Sequence, residues 1–486
     1  MNKVLGVVST FVDGLKPCSQ HIVLIWLDAL AGDLFVEMYL KGELKNLEEF
    51  FNEGVLVKNA IACFPTVSES AEGGVISGFY AGETNMLGER YFSREQQIMM
   101  HYKFNAKPEA DFARELKDCT IDALSKKSIG MGRLIHMASE EIVDIKAMHY
   151  ERTGDLRIVD RRIEVAMNVI KVKKPRFFFF TVSADYISHV DGRKGSSVYS
   201  FVKRFDEKFP SLIQVLDEVY GRNSYTVVVF SDHGTASVSN HLDLPRFLEE
   251  QGFSPAPTDL IWRKDSNCAA LSNGRRSALV YFAHPNEGWR KRPGCKNLRK
   301  YPHRGREVDL LKLFAEERGV AQVFAKRDEY SVIVVSSEGE AVIEYNRAEN
   351  KYRYRVIKGE DPLEYNIESK WMTEEEWLKM TYSKKYPDAV VQLYWIFKSP
   401  NCGDIVLNAS DKWDFWEPWD IWYPRLVAAH GGLSRDEMSV FILAKGPRIK
   451  AGVLPYARVL DIYATLAKCF SGQIAKSHAV ERMLAI

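Results

Sequence analysis

Three aspartates each follow a run of apolar residues in this sequence. Asp28 ends the run IVLIWL, Asp185 follows FFFFTVSA, and Asp232 follows TVVVFS. Ligands of open α/β sheets bind at the carboxyl ends of the strands, so acids at three such ends are expected to meet. An aspartate after a strand also commonly caps a helix or forms a turn, so each one alone has a structural interpretation.

Three histidines accompany these acids. His189 comes four residues after the second aspartate in SADYISHVDG, His233 directly follows the third in SDHGTA, and His430 lies in the segment AAHGGLS. Carboxylate and imidazole together suit zinc, and less specifically manganese or iron. A histidine beside glycine is by itself most simply a loop residue, but the order of all these features favours a metal centre. His241, shortly after SDHG, is a further candidate ligand.

The segment FPTVSESAEGGVISGFYAG, residues 64–82, predicts a helix of unusually small residues that begins at a hydroxyl. A hydroxyl is a poor nucleophile at neutral pH until a metal lowers its pKa. At a helix N-terminus it also lies near backbone N–H groups that can receive a phosphate. The simpler alternative is that Ser68 or Ser70 only caps the helix and that the glycines only allow close packing.

The elements that must position these residues are short apolar runs separated by helical stretches. The runs do not alternate polar and apolar residues, as expected for parallel strands covered on both faces. They are IVLIWL (22–27), VLVKNAIA (55–62), FFFFTV (177–182), TVVVF (226–230), ALVYF (278–282) and SVFILA (439–444). Alternation of strands and helices predicts an α/β fold with a mostly parallel sheet flanked by helices.

The pattern changes between residues 255 and 385, where basic loops precede the alternating stretch YSVIVVSSEGEAVIEYNRAENKYRYRVIKG. This stretch predicts an antiparallel meander with turns at SEGE and RAENK. We therefore expect a core formed by 18–254 and 386–486, with 255–385 as a smaller α+β insertion that caps the sheet. The insertion holds no candidate metal ligand, so we expect it to govern substrate choice.

The amino-acid composition limits the kinds of molecule that the protein is expected to bind. The 486 residues include 66 basic and 65 acidic side chains, which argues against bulk affinity for nucleic acid or an anionic membrane. The seven cysteines form no CxxC pair and are expected to be free thiols in a reducing compartment. No confident signal peptide or membrane span is evident. We expect a cytoplasmic protein with a small-molecule substrate; the sequence does not indicate an oligomeric state.

The ordered motifs resemble the alkaline phosphatase superfamily, and most of all its type I phosphodiesterase/nucleotide pyrophosphatase branch. That branch has a strand ending in Asp, a P-T/S-x-T/S segment leading to TG-x-Y, then D-xxx-H, SDHG and a late HG. The matching segments cover roughly residues 20–254 and 386–486. The resemblance implies the alkaline-phosphatase-like fold and two divalent metal ions, zinc or alternatively manganese.

The resemblance also implies a role for each matching residue. One ion would be held by Asp185, His189 and His430, and the other by Asp28, Asp232, His233 and the nucleophile. Aligning PTVS places Ser68 at the nucleophile position, with Thr66 as the alternative. The implied reaction is hydrolysis of a phosphodiester or nucleotide pyrophosphate through a seryl-phosphate intermediate.

One segment departs from the family pattern. The family often has His-Gly and then an Asn that contacts phosphate, whereas GETNMLGERYF places Thr84–Asn85 and Glu89 at those positions. A carboxylate beside a phosphoryl group is repulsive, so either the alignment is shifted here, or Asn85 or Arg90 contacts the substrate instead, or the substrate differs. Because acids dominate the stretch after the nucleophile, we expect diesters to be preferred over dianionic monoesters.

Four alternatives remain open from the sequence. A phosphomonoesterase and a cofactor-independent phosphomutase share the fold and the metals. A sulfatase would need C/S-x-P-x-R, and TVSES has neither that Pro nor that Arg. A metal-binding scaffold without activity is the non-enzyme alternative.

Overall fold

The chain is described here from a computed structural model that covers residues 21–101, 128–131, 140–256, 265–416, 426–471 and 477–484. Residues 18–20 of the expected core and the cysteines at 18 and 119 lie outside these ranges. Up to residue 256 the strands are β1 (His21–Asp28), β2 (Val55–Ile61), β3 (Arg90–Ser93), β4 (Ile98–His101), β5 (Ser128–Met131), β6 (Glu140–Ile142), β7 (Phe177–Ser183), β8 (Tyr225–Phe230) and β9 (Ala236–Asp243). The helices are α1 (Gly32–Leu40), α2 (Lys45–Phe51), α3 (Ser68–Ser77), α4 (Ala81–Thr84), α5 (Ile145–Thr153), α6 (Arg157–Lys173), α7 (Asp185–Asp191), α8 (Ser196–Tyr220) and α9 (Leu244–Glu250).

The stretch from residue 265 to 416 is richer in strands. They are β10 (Cys268–Asn273), β11 (Ser277–Phe282), β12 (Tyr301–His303), β13 (Arg306–Val308), β14 (Val320–Asp328), β15 (Ser331–Val335), β16 (Gly339–Asn346), β17 (Lys351–Gly359), β18 (Ile405–Ala409) and β19 (Lys412–Trp416). The helices are α10 (Cys295–Arg299), α11 (Leu310–Ala315), α12 (Glu374–Thr381) and α13 (Ala389–Ile396).

The final stretch returns to the main sheet. Its strands are β20 (Ala428–Ala429), β21 (Ser439–Lys445), β22 (Gly452–Leu454) and β23 (Ala457–Arg458). Its helices are α14 (Arg435–Met438) and α15 (Ile462–Ser471), preceded by the 3₁₀ turn Val459–Asp461.

The main sheet follows the order β22-β2-β21-β8-β1-β7-β5-β6, with β23 also paired to β2. The central strand β1 runs parallel to both neighbours, β7 and β8. Among the described strands of this sheet only β21 is reversed, being antiparallel to β2 and to β8. The predicted α/β fold with a mostly parallel, helix-flanked sheet is therefore confirmed.

The two faces of β1 explain why its sequence does not alternate. Val23, Ile25 and Leu27 pack into one apolar cluster with residues of α6 and α8. Ile22, Leu24 and Trp26 pack into the opposite cluster, which includes residues of α3. Both faces are covered, so every position of the strand gains from an apolar side chain.

A second sheet, β10-β11-β18-β14-β15-β16-β17, holds the predicted meander, and its hairpins β15–β16 and β16–β17 are antiparallel. The prediction was wrong for two runs. Residues 278–282 form β11 of this second sheet, because a tight turn folds them back on β10. Residues 439–444 lie in the main sheet but run antiparallel, because the chain enters β21 from the edge where His430 lies.

The second sheet does not stop at residue 385. Its strand β18 comes from Ile405–Ala409, within the stretch expected to belong to the core. The boundaries of the core and the insertion stay a prediction. The second sheet nevertheless combines strands from before and after residue 385.

Two further observations bear on the expected cellular context. Cys63, Cys268, Cys295, Cys402 and Cys469 are free thiols. Among the described helices, none combines the length and the apolar character needed to cross a membrane. The cytoplasmic location stays a prediction.

Candidate active site

Two buried triads of side chains lie at the carboxyl edge of the main sheet. In each triad one ligand atom per residue lies within 4.8 Å of the others. The first is Asp185, His189 and His430, and the second is Asp28, Asp232 and His233. The structure thus brings together all six residues that the sequence singled out, although their role as metal ligands stays a prediction.

Parallel strand ends account for the three acids. Asp28 is the last residue of β1, and β7 and β8 end beside it in register before Asp185 and Asp232. His189 lies four residues after Asp185 on α7, so the two side chains share one helix face. His430 arrives from the far end of the chain, directly after β20.

The first triad is compact around one carboxylate. The Nε2 atom of His189 lies 3.1 Å from Oδ1 of Asp185, and the Nε2 atom of His430 lies 3.5 Å from the same oxygen. In the second triad the Nε2 atom of His233 lies 3.3 Å from Oδ2 of Asp232. The rings of His233 and His430 stack with their centroids 4.0 Å apart, so the two triads adjoin.

The three histidines are oriented in the same way. Each Nδ1–H donates to a backbone carbonyl: His189 to Ala428 at 2.7 Å, His233 to Gly234 at 3.1 Å and His430 to Thr66 at 2.9 Å. This hydrogen bond fixes the tautomer and turns Nε2 towards the acids, as in protein zinc sites.

The donor set fits a metal ion. Oδ2 of Asp232 and Nε2 of His233 are buried and lack a hydrogen-bond partner among the described residues. A buried polar atom left without a partner is costly, and a cation between these two atoms would satisfy both. Carboxylate and imidazole donors of this kind are those that zinc prefers.

The titration of the site groups follows from their burial and their neighbours. Burial lowers the pKa of His233 to about 4, which keeps its ring neutral and able to bind a metal. Burial opposes the charge on Asp185, but His189 and His430 hold its pKa well below the usual range. Burial also opposes the charge on His430, but its hydrogen bond to Asp185 raises its pKa to about 9.

Ser68 is the first residue of α3, and its Oγ lies 3.3 Å from Oδ1 of Asp28. Every residue of this helix is buried. A Cβ on Gly74 would lie 2.6 Å from Sγ of Cys63, so only glycine allows the observed approach. The small residues therefore let the helix pack against the sheet with Ser68 directed at the second triad.

Thr66, the alternative nucleophile, has a different environment. Its Oγ1 donates to the carbonyl of Gly432 at 2.8 Å and accepts the N–H of Gly431 at 2.9 Å. The hydroxyl thus holds the loop that carries His430, whereas Ser68 contacts a candidate metal ligand.

The two expected substrate contacts lie against the second sheet. Oδ1 of Asn85 accepts a hydrogen bond from Asn401 at 3.1 Å. The guanidinium of Arg90 donates to the carbonyl of Ser272 at 3.0 Å. Glu89 is near enough for its charge to act on His430. The substrate roles of Asn85 and Arg90 stay predictions.

His241 does not join either triad. Its Nδ1 lies 2.7 Å from Oδ1 of Asp414, which is fully buried on β19.

Sequence reasoning missed Ser183. Its Oγ donates to Oδ2 of Asp28 at 2.8 Å and accepts the N–H of Asp185 at 3.3 Å. One hydroxyl therefore touches both triads. The signal in the sequence is weak, a small polar residue that ends a mostly apolar strand two positions before an aspartate.

Comparisons with solved structures agree with this architecture. Murine ectonucleotide pyrophosphatase/phosphodiesterase 5 (ENPP5) has a TM-score of 0.56 at 13% identity, covering 95% of this chain and 98% of its own. Human ENPP5 gives 0.57 at 13% identity, covering 95% and 97%. Murine ENPP5 inactivated by a threonine-to-alanine substitution and solved with AMP gives 0.54 at 13% identity, covering 95% and 97%. At this identity the likeness establishes the fold.

The sequence itself establishes the family. No curated protein matches the chain. Residues 22–432, most of the chain, match the sequence model of the type I phosphodiesterase / nucleotide pyrophosphatase family. The chain therefore belongs to this family, within the alkaline phosphatase superfamily, and is a hydrolase.

Proposed function

We propose that this protein is a two-metal phosphodiesterase or nucleotide pyrophosphatase in which Ser68 attacks phosphorus. The observation that carries the proposal is the position of the Ser68 hydroxyl, which lies 3.3 Å from Asp28 of the second triad and begins a buried helix. The structures of murine ENPP5 in the same fold include one with AMP bound, which supports a nucleotide as substrate.

The six buried side chains would hold two divalent ions, zinc or alternatively manganese. When bound, such ions supply positive charge that lowers the pKa of a hydroxyl and neutralises charge on phosphate oxygens. The chain supplies the rest of the chemistry through Ser68 and the groups around it.

The reaction would take two displacements. The Ser68 oxygen loses its proton to solvent and bonds to phosphorus, the bond from phosphorus to the leaving oxygen breaks, and the leaving group departs as a phosphate or takes a proton from solvent and departs as an alcohol. Water then attacks phosphorus of the seryl phosphate, the bond from phosphorus to the Ser68 oxygen breaks, Ser68 regains a proton, and the phosphate monoester is released. The first turn of α3 would assist by directing backbone N–H groups at the phosphate. The first hydrogen bond within the helix is donated by Ala71 to Val67 at 3.2 Å, so the N–H groups before Ala71 have no acceptor inside the helix.

Charge near the nucleophile favours a diester. A monoester is close to dianionic at neutral pH and needs an added cation, whereas a diester carries one charge. Arg90 is the first basic residue after Ser68, and its guanidinium donates to Ser272. The residues between them include four acids: Glu69, Glu72, Glu83 and Glu89.

The test compares a bis-aryl with a mono-aryl phosphate bearing the same leaving group, in the presence of zinc or manganese. We expect a higher kcat/KM for the diester, and loss of turnover after metal removal. A clear preference for the monoester would move the protein to the phosphatase or phosphomutase branches. Bound metal with no turnover on either ester or on a nucleotide pyrophosphate would favour the scaffold alternative.

A further inference from the structure

The turn between β10 and β11, residues 274–276, packs directly on His430. The N–H of His430 donates to the carbonyl of Gly274 at 3.0 Å, and the N–H of Arg276 donates to the carbonyl of His430 at 2.8 Å. A Cβ on Gly274, which has φ +58°, would lie 2.5 Å from Nδ1 of His430. The second sheet therefore contacts a candidate metal ligand directly through this turn.

The side chain of Arg276 extends this contact. It is 1% exposed, and its Nε lies 3.1 Å from Oε2 of Glu437, which is fully buried. Oε1 of Glu437 accepts the N–H of Gly432 at 2.6 Å. The ion pair thus fixes the loop at Gly432, two residues beyond His430, while the backbone N–H of Arg276 binds the carbonyl of His430 itself.

The guanidinium is also bound on its other side. It donates to the carbonyls of Ser410 and Trp413, and the Ser410 bond is 3.1 Å long. Ser410 lies in the connection from β18 to β19, and Trp413 lies within β19. A planar guanidinium can donate to two carbonyls while its charge faces a carboxylate, which a lysine ammonium cannot do in the same geometry.

We propose that Arg276 is a positioning residue for the metal centre, acting through His430 and Glu437. This inference rests on the proposed function. The second sheet, which contributes no candidate ligand, holds His430 in place through two backbone hydrogen bonds of the turn and through the buried ion pair of Arg276 with Glu437. The same loop is held from the core side by Thr66, so the ligand is fixed between the two sheets.

The experiment measures zinc binding by Arg276→Met and Arg276→Lys, using competition with a zinc-sensitive dye. Loss of a partner that orients a metal ligand costs typically 10–100-fold in affinity, and the indirect contact here predicts about tenfold for Arg276→Met. Arg276→Lys should show a smaller loss. Diester hydrolysis by both variants should recover when zinc is raised, because the nucleophile is intact.

Arg94 provides the matched control. It forms a buried ion pair with Asp404, which also accepts the N–H of Phe282 at the far end of β11. Arg94→Met should lower the melting temperature without changing zinc affinity. If Arg276→Met does not fold, a folded Arg276→Lys with wild-type zinc affinity and zinc dependence overturns the inference.

Two other results separate this inference from the proposed function. A wild-type protein that binds no zinc or manganese overturns both. A wild-type protein that binds zinc, with Arg276→Met and Arg94→Met losing affinity equally, overturns only the inference.

Discussion

Ser183→Ala is expected to weaken both metal sites although Ser183 is not a candidate ligand. Its hydroxyl donates to Asp28 of one triad and accepts the N–H of Asp185 of the other. Removing the hydroxyl leaves Oδ2 of Asp28 with one hydrogen bond fewer in a buried environment, and it frees the start of α7 to shift. Both carboxylates should then lose part of their fixed orientation.

The magnitude follows from the charge on the acceptor. A hydrogen bond to an ionised group contributes about 1.5–3 kcal/mol, and 1.4 kcal/mol corresponds to a tenfold change in an equilibrium constant. If this free energy acts through ligand orientation, zinc affinity should fall by roughly 10–100-fold, in agreement with the general cost of losing a partner of a metal ligand.

The assay is competition of the protein with a zinc-sensitive dye, followed over both binding steps. Ser77→Ala is the control, since Ser77 is equally buried and donates to the neutral carbonyl of Gly73. The control should lose stability of about 1 kcal/mol and keep its zinc affinity. Wild-type zinc affinity in Ser183→Ala, or an equal loss in Ser77→Ala, would refute the reasoning.

Two further predictions concern the nucleophile and the C-terminal segment. Ser68→Ala should bind zinc but lose several orders of magnitude in kcat, whereas Thr66→Val should keep measurable turnover in excess zinc; the opposite pattern would assign the nucleophile to Thr66. His478 lies 3.0 Å from Glu374 and 3.1 Å from Glu83, and although burial opposes it, these partners raise its pKa to about 10. The contacts of His478 with the two glutamates should therefore contribute their full stabilisation of the fold below the unfolded pKa of 6.5. This contribution should be lost as the pH rises towards 10. The difference in melting temperature between wild type and His478→Gln should be largest at pH 6 and shrink towards pH 10, and a constant difference would contradict it.

The acids and histidines were predictable because their positions depend on local rules. Asp28, Asp185 and Asp232 each follow an apolar run, and parallel strands end at one edge regardless of their order in the sheet. His189 and His233 are fixed by short distances along the chain from those acids. Only His430 needed a long-range contact, and its place was inferred from the order of the motifs.

The residues that hold the candidate ligands in position were not predictable in the same way. Arg276 and Glu437 lie 161 positions apart in the sequence, and no short-range pattern pairs them. Likewise the run 278–282 has the composition of a buried strand, but composition does not show which of the two sheets the strand joins. These features depend on pairings across the chain that short-range patterns do not encode.

The three carboxylates of the two triads would set the charge of a centre that held two divalent ions. Two divalent ions would bring four positive charges and the three aspartates three negative ones, while a histidine that binds a metal is neutral, so a single positive charge would remain before Ser68 loses its proton. With Ser68 protonated, a phosphodiester monoanion would bring this buried cluster to neutrality, whereas a dianionic monoester would add a further negative charge that is costly away from water. If two ions are bound, we therefore expect electroneutrality to favour the diester before the shape of any leaving-group pocket has an effect.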